Sequence, residues 1–313
     1  MAKVFFGCDV HGSDLVFHKM LRMVKHHKVD VFMLCGDLTG KVIVPIVKRG
    51  PGDWYCAPWN TEKLIKSKEE LEEVKKTFND KGYYVHETVQ QEVDDLKQSK
   101  DKQMGLFARL MKDKLKSWLF EAEQELPENM KIIISPGNDD SRDVDEVIEQ
   151  STRIIYPLER VVDLDGTHQL ISCEWTNLSP WSTPRECSEE ELKAKLDKEF
   201  VRVNDHKNVI CNFHAPPFGT SLDIAPKLKD LKPVTRFGQP IMTHVGSTAV
   251  RDALNNYQPS VSLHGHIHES CAFQRLGRTL SLNPGSDYNM GVMRGYIVDL
   301  APGKKPDFWR VEA

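Results

Sequence analysis

Five apolar runs in this chain each stop abruptly at a short turn, and every turn carries residues of metal-binding type. The runs with their turns are KVFFGCDVHG (3–12), VDVFMLCGD (29–37), KIIISPGND (131–139), NVICNFHAP (208–216) and SVSLHGHIH (260–268). Short apolar runs bounded by turn residues are a pattern of buried strands. Between the first two lies a helical spacing, Leu15, Met20, Leu21 and Val24. Strand, helix, strand order predicts parallel βαβ units. In open α/β sheets, ligands gather at the carboxyl ends of the strands, so the residues in these turns are candidates for one shared site.

Spacing within the turns narrows the reading. Side chains two apart on extended backbone point to one side, so Asp9 with His11, and His266 with His268, can each converge on one ion. Singly, these signals are weak. A lone D-x-H at a strand end is more often incidental. Gly36-Asp37 is a common turn dipeptide, His214 before Ala-Pro-Pro suits an ordinary loop, and Asn138 suits the cap of a helix starting near Arg142. The G-H-x-H pair is stronger, since two imidazoles on one side of a short segment suit a metal. The specific signal is the full set, in this order, on successive strand ends.

That set resembles the calcineurin-like metallophosphoesterase superfamily, whose pattern is D-x-H, G-D, G-N-[HD], a lone H, then G-H-x-H. The stretches GDLTGK, GNDD and LHGHIHE are similar to an Icc-related bacterial and archaeal branch. Asn283-Pro284-Gly285-Ser286 resembles a segment common near the end of that fold. The resemblance implies an α/β fold, a four-layer αββα sandwich forming a single domain over 1–313. It also implies a two-metal site in which Asp9, His11 and His268 hold one ion, Asn138, His214 and His266 hold a second, and Asp37 bridges them. The mixed nitrogen and oxygen donors suit two divalent ions among Mn, Fe, Ni, Co and Zn, with Mn favoured. The implied reaction is hydrolysis of a phosphate ester by a metal-bridging hydroxide.

One element departs from the commonest form of the pattern. Where the third motif often ends in histidine, this chain has Asp139. An aspartate beside two cations stays ionised and is a poor general acid. Phosphodiesters are therefore expected over monoesters. Asp139 and Asp37 are the candidate catalytic groups; Asn138 and His244 are candidates for substrate binding. His264 is expected to be structural, and Cys8 and Cys35 to face the core.

About ninety residues separate the second and third runs, long for one crossover. A hairpin is expected across Pro51-Gly52, then an amphipathic helix through Leu64, Leu71, Val74 and Phe78, then a second helix over 104–122. Residues 41–100 thus read as a cap inserted after the second strand. Trp54, Tyr55 and Trp59 are expected to form a small apolar cluster holding the hairpin, in preference to a lid that stacks on a base.

A net charge of -4 gives no bulk basic field for nucleic acid, and no apolar stretch is long enough for a bilayer. A small phosphate ester is the expected partner. Seven cysteines without a C-x-x-C pair are neither a disulfide framework nor a zinc knuckle, and a reducing cytoplasm is the expected compartment. Two other functions compete. A non-catalytic scaffold on the same fold predicts missing ligands, yet every position is filled. A metallo-β-lactamase-type hydrolase needs H-x-H-x-D-H, which is absent from the sequence.

Overall fold

The computed structural model describes residues 1–313, apart from the side chain of Asn60. Strand β1 (Ala2–Gly7), helix α1 (Asp14–His27) and strand β2 (Val31–Cys35) form the first parallel unit. The chain then runs through β3 (Val42–Gly50), β4 (Asp53–Cys56), β5 (Lys63–Ile65), α2 (Lys68–Asn79), β6 (Tyr83–Thr88) and α3 (Gln90–Gln98). It returns by α4 (Lys100–Glu125) to β7 (Lys131–Ser135), α5 (Asp143–Glu149) and β8 (Ile154–Ile155). The second half supplies β9 (Val162–Asp163), β10 (Gln169–Cys173), α6 (Glu189–Val201), β11 (Val209–Phe213), α7 (Thr248–Tyr257) and β12 (Val261–Leu263). It ends with β13 (Ala272–Leu276), β14 (Thr279–Asn283), β15 (Arg294–Leu300) and β16 (Asp307–Glu312).

Two six-stranded sheets result, ordered β16-β15-β1-β2-β7-β8 and β13-β14-β12-β11-β10-β9. In the first, β1, β2, β7 and β8 are parallel; in the second, β10, β11, β12 and β14 are. Antiparallel strands close both edges of the second sheet and one edge of the first.

Alternation along the strands builds the layers. On β1, Phe5 packs into the core under α1, α4 and α5, while Val4 and Phe6 face the other sheet. On β2, Phe32 and Leu34 take the helix side; Val31, Met33 and Cys35 take the inter-sheet side. The second sheet repeats this, with Ile210 inward and Val209, Cys211 and Phe213 against α6 and α7. Both faces of each sheet are therefore apolar, which is why these strands read as continuous hydrophobic runs. The layers are α, β, β, α, the expected fold class.

The detour between β2 and α4 makes its own sheet, ordered β5-β4-β3-β6. Its core joins Val44, Ile46, Trp54 and Ile65 to Leu71, Val74 and Phe78 of α2. The hairpin across Pro51-Gly52 is present as β3 and β4. The helix expected from Leu64 onward begins later. Lys63–Ile65 is a strand paired with β4, and α2 starts after Ser67, whose hydroxyl accepts from Glu70 N. Leu64 lies on that strand and is exposed, not on the helix face. Trp54 joins the apolar cluster, whereas Trp59 stays largely exposed beside Tyr83. Tyr55 sits apart, under Arg49 and bonded to Gln90. No helix among the described residues is long and apolar enough to cross a membrane.

Candidate metal centre

The five motif turns lie beyond the carboxyl ends of β1, β2, β7, β11 and β12, the parallel strands at the middle of the two sheets. Backbone hydrogen bonds continue past the strands and lace the turns together. Asp9 N donates to Gly36 O, Gly36 N to Ser135 O, and Gly265 N to His214 O, each at 2.9–3.1 Å. Asp9, His11, Asp37 and His266 have φ of 53°, 42°, 48° and 67°. Non-glycine residues adopt this left-handed region rarely and at a cost. Four such residues in one site mark turns held by their surroundings.

Two motif glycines show how tightly the turns approach. A Cβ on Gly137 would stand 2.3 Å from Asp37 Oδ1, and one on Gly36, at φ +104°, would stand 2.2 Å from His214 Nδ1. Only glycine leaves room there.

The donor atoms fall into two groups, each with its atoms within 4.8 Å of one another: Asp9, His11, Asp37 and His268, and Asp37, His214 and His266. Asp37 belongs to both. Asn138 adds its amide oxygen, 2.8 Å from His266 Nδ1. His11 Nε2 lies 3.7 Å from Asp37 Oδ2, and His268 Nε2 lies 3.7 Å from Asp9 Oδ1. His214 Nε2 stands 3.4 Å from Asp37 Oδ1. Asp9, His11, Asp37, Asn138 and His214 are buried, while His266 and His268 are partly open to solvent.

Burial disfavours charge on all of these groups, and the balance separates them. Burial holds His11 at about 3 and, with the nearby His214 charge, His266 at about 4. Both are neutral imidazoles, the form that ligates metal. His214 is also penalised by burial, but Asp37 outweighs this and raises it to about 9. Against the same penalty, the neighbouring His268 and His214 imidazoles hold Asp9 at about 2. Asp37 is held well below the ordinary carboxylate range, chiefly by His214. A protonated imidazole between two carboxylates is an arrangement that a bound cation would replace. His11 Nδ1 and both ring nitrogens of His214 lack hydrogen-bond partners despite being buried. Orphaned donors, neutral imidazoles and a shared carboxylate fit divalent metal.

The remaining candidates are placed as follows. Asp139 pairs its carboxylate with Lys41, and its N–H donates to Asp37 Oδ1 at 2.9 Å. Burial and the Asp37 charge raise its pKa, and Lys41 opposes them. His244 is half-exposed, with Nδ1 2.8 Å from Asp223 Oδ1. It belongs to neither donor group. Asn138 does not cap α5, whose N-cap is Arg142. His264 is fully buried, with Nδ1 against the carbonyls of Phe213 and Ala215 and Nε2 against Ser262. Cys8 and Cys35 are buried thiols, pushed up by desolvation.

Four residues outside the expected set shape the centre. Asp140 clamps two turns, accepting from Leu38 N, Thr39 N and Gly137 N at 2.8–2.9 Å. Its signal was the second aspartate of GNDD. Lys41 follows GDLTG directly. Tyr288 lays its ring 4.7 Å from that of His11, and Thr183 accepts the Asn138 amide; neither has a local signal. The Asn283-Pro284-Gly285-Ser286 segment braces the site from below. Asn283 Nδ2 donates to the carbonyls of Gly265 and Ile267, and Ser286 Oγ donates to Asp9 O.

No family model matches the chain. One crystal structure superposes with a TM-score of 0.60 at 15% identity, covering 99% of this chain and 98% of its own, which indicates a shared fold. TT1561 of Thermus thermophilus gives 0.49 at 12% identity, covering 98% of each chain. Purple acid phosphatase PPD1 from yellow lupin (Lupinus luteus) seeds gives 0.40 at 11%, covering all of this chain and 49% of its own. Scores this low establish neither fold nor function. In sequence, the uncharacterized protein MJ1162 of Methanocaldococcus jannaschii is 30% identical over 168 residues, 53% of this chain and 69% of its own. With a match of that extent, the chain belongs to the family of MJ1162.

Proposed function

We propose that this chain is a two-metal phosphoesterase of the calcineurin-like type, in its Icc-related branch, acting on phosphodiesters in preference to monoesters. The observation that carries the reading is Asp37, a carboxylate common to two donor groups built from different strand ends. Asp9, His11 and His268 would hold one ion, Asn138, His214 and His266 the other, with Asp37 between them. Two divalent ions there would neutralise phosphate oxygens and activate water for attack on phosphorus.

The chain's own residues set the rest. His266 and His268, the two partly exposed donors, would form the side from which an ester arrives. Lys41 adds a cation next to Asp139, suited to a phosphate oxygen. Asp139 offers no imidazolium to a departing alkoxide, and its carboxylate is engaged by Lys41. This favours esters whose leaving group needs no strong acid, and supports the diester preference. His244 would contact substrate only from the outer rim, through the loop that Asp223 anchors.

The test is hydrolysis of a nitrophenyl phosphodiester by chelator-stripped protein titrated with Mn²⁺, beside the matching monoester. Metal-dependent turnover, faster on the diester, is the expected result. Protein that binds two equivalents of metal and turns over neither ester would be a non-catalytic scaffold instead.

A further inference from the structure

The face of the inserted sheet turned away from α2 is only partly covered. On β3, Val44 and Ile46 enter the core beneath α2, while Ile43 and Pro45 point the other way. There they line a groove of about 630 Å³ whose far wall is α3 and α4. That volume is typical of a small-molecule site. Its wall is apolar, with Leu96, Met104, Leu106, Phe107 and Met111. The polar groups on its rim already have partners. His86 Nε2 meets Glu92 Oε1 at 3.2 Å, Gln103 Nε2 donates to Leu96 O at 2.7 Å, and Asp143 pairs with Lys112. A nucleobase would find few free readers there. A flexible hydrocarbon chain needs none, and the two methionines adapt to its shape.

One side chain, Lys41, links the groove to the turn that carries Asp139. Lys41 lines the groove, and its ammonium pairs with Asp139, whose N–H donates to the shared Asp37. Ser141 and Asp143, just beyond the Asn138 turn, also line the groove. We propose that the groove binds a hydrocarbon chain of the substrate, so that the ester is an alkyl or acyl-bearing phosphate with its charged end beside Lys41. This rests on the phosphoesterase reading for the chemistry at the charged end.

The test uses the full chain, loaded with Mn²⁺, and titration calorimetry with n-alkyl phosphates from ethyl to octyl. Affinity is expected to rise roughly fourfold per added methylene until the groove is filled. Met104→Glu, at an exposed position, should flatten that slope. Chain-length-independent affinity, or adenosine monophosphate binding more tightly than octyl phosphate, would overturn the proposal. Self-association that Met104→Glu abolishes, with no alkyl slope, would instead assign the groove to a second copy of the chain. Turnover of the nitrophenyl diester is measured on the same preparation. Turnover without a slope sinks the groove alone; a slope without turnover sinks the phosphoesterase reading and leaves the apolar site standing.

Discussion

The side-chain amide of Asn138 donates to Thr183 Oγ1 at 2.8 Å. Thr183 in turn donates its own proton to Glu186 Oε1 at 2.6 Å, so its lone pairs are free to accept. This relay fixes which end of the Asn138 amide faces His266: the oxygen, the end that can ligate. Thr183→Val should let the amide turn and weaken one of two metal equivalents by about 10- to 100-fold, leaving the other unchanged. Metal titration of the variant by calorimetry checks it; two unchanged affinities would show that Thr183 orients nothing.

Asp37 is common to both donor groups. Asp37→Asn keeps the shape and removes the charge that two cations would share. Metal-dependent hydrolysis should fall by more than about a hundredfold, with at least one equivalent of metal lost. Wild-type turnover in this variant would refute the two-metal assignment.

Cys8 precedes Asp9 but turns its thiol toward His264 O at 3.8 Å, and burial keeps the thiol protonated. Cys8→Ala should leave the metal content, measured by elemental analysis, unchanged. Loss of a full equivalent would make the sulfur a ligand.

Asp139→His exchanges a carboxylate held by Lys41 for an imidazole that can donate a proton. The ratio of monoester to diester turnover should rise by about tenfold or more. An unchanged ratio, with metal content intact, would show that position 139 does not limit proton supply.

Glu199 on α6 is buried, and desolvation, joined by the Glu159 charge and opposed by Arg202, raises it to about 7. Its unfolded value lies near the ordinary 4.5. The folded state therefore holds a proton that the unfolded state has released, and stability falls as pH rises from about 4.5 to about 7. Glu199→Gln should remove this slope and add about 1–3 kcal/mol above pH 7, read from denaturant midpoints at pH 5 and pH 8. An equal slope in both proteins would exclude Glu199 as its source.

The donor residues were legible because each directly follows an apolar run, so locating a strand also located its turn. The layers were legible for the same reason. Thr183 and Tyr288 were less so, because each reaches the centre through tertiary packing: Tyr288 meets His11 from the opposite end of the chain. Leu64 fits a helical stripe and so points to an earlier start of α2, but pairing of Tyr55 with Leu64 and Trp54 with Ile65 draws that segment into a sheet. Tertiary pairing overrode local pattern there. The serine that caps the helix, with glutamate three residues on, was the better local guide.

Strands β2 and β7 are hydrogen-bonded neighbours, so the whole excursion from Lys41 to α4 departs from and rejoins the body at adjacent points. Asp140 pins the two flanking turns to each other independently of what lies between them. Such a layout behaves like a fixed handle with an exchangeable head. Lengthening, shortening or replacing the excursion should leave the aim of Asp37 and Asn138 locked, because the Asp139 N–H and Thr183 that hold them lie outside the head.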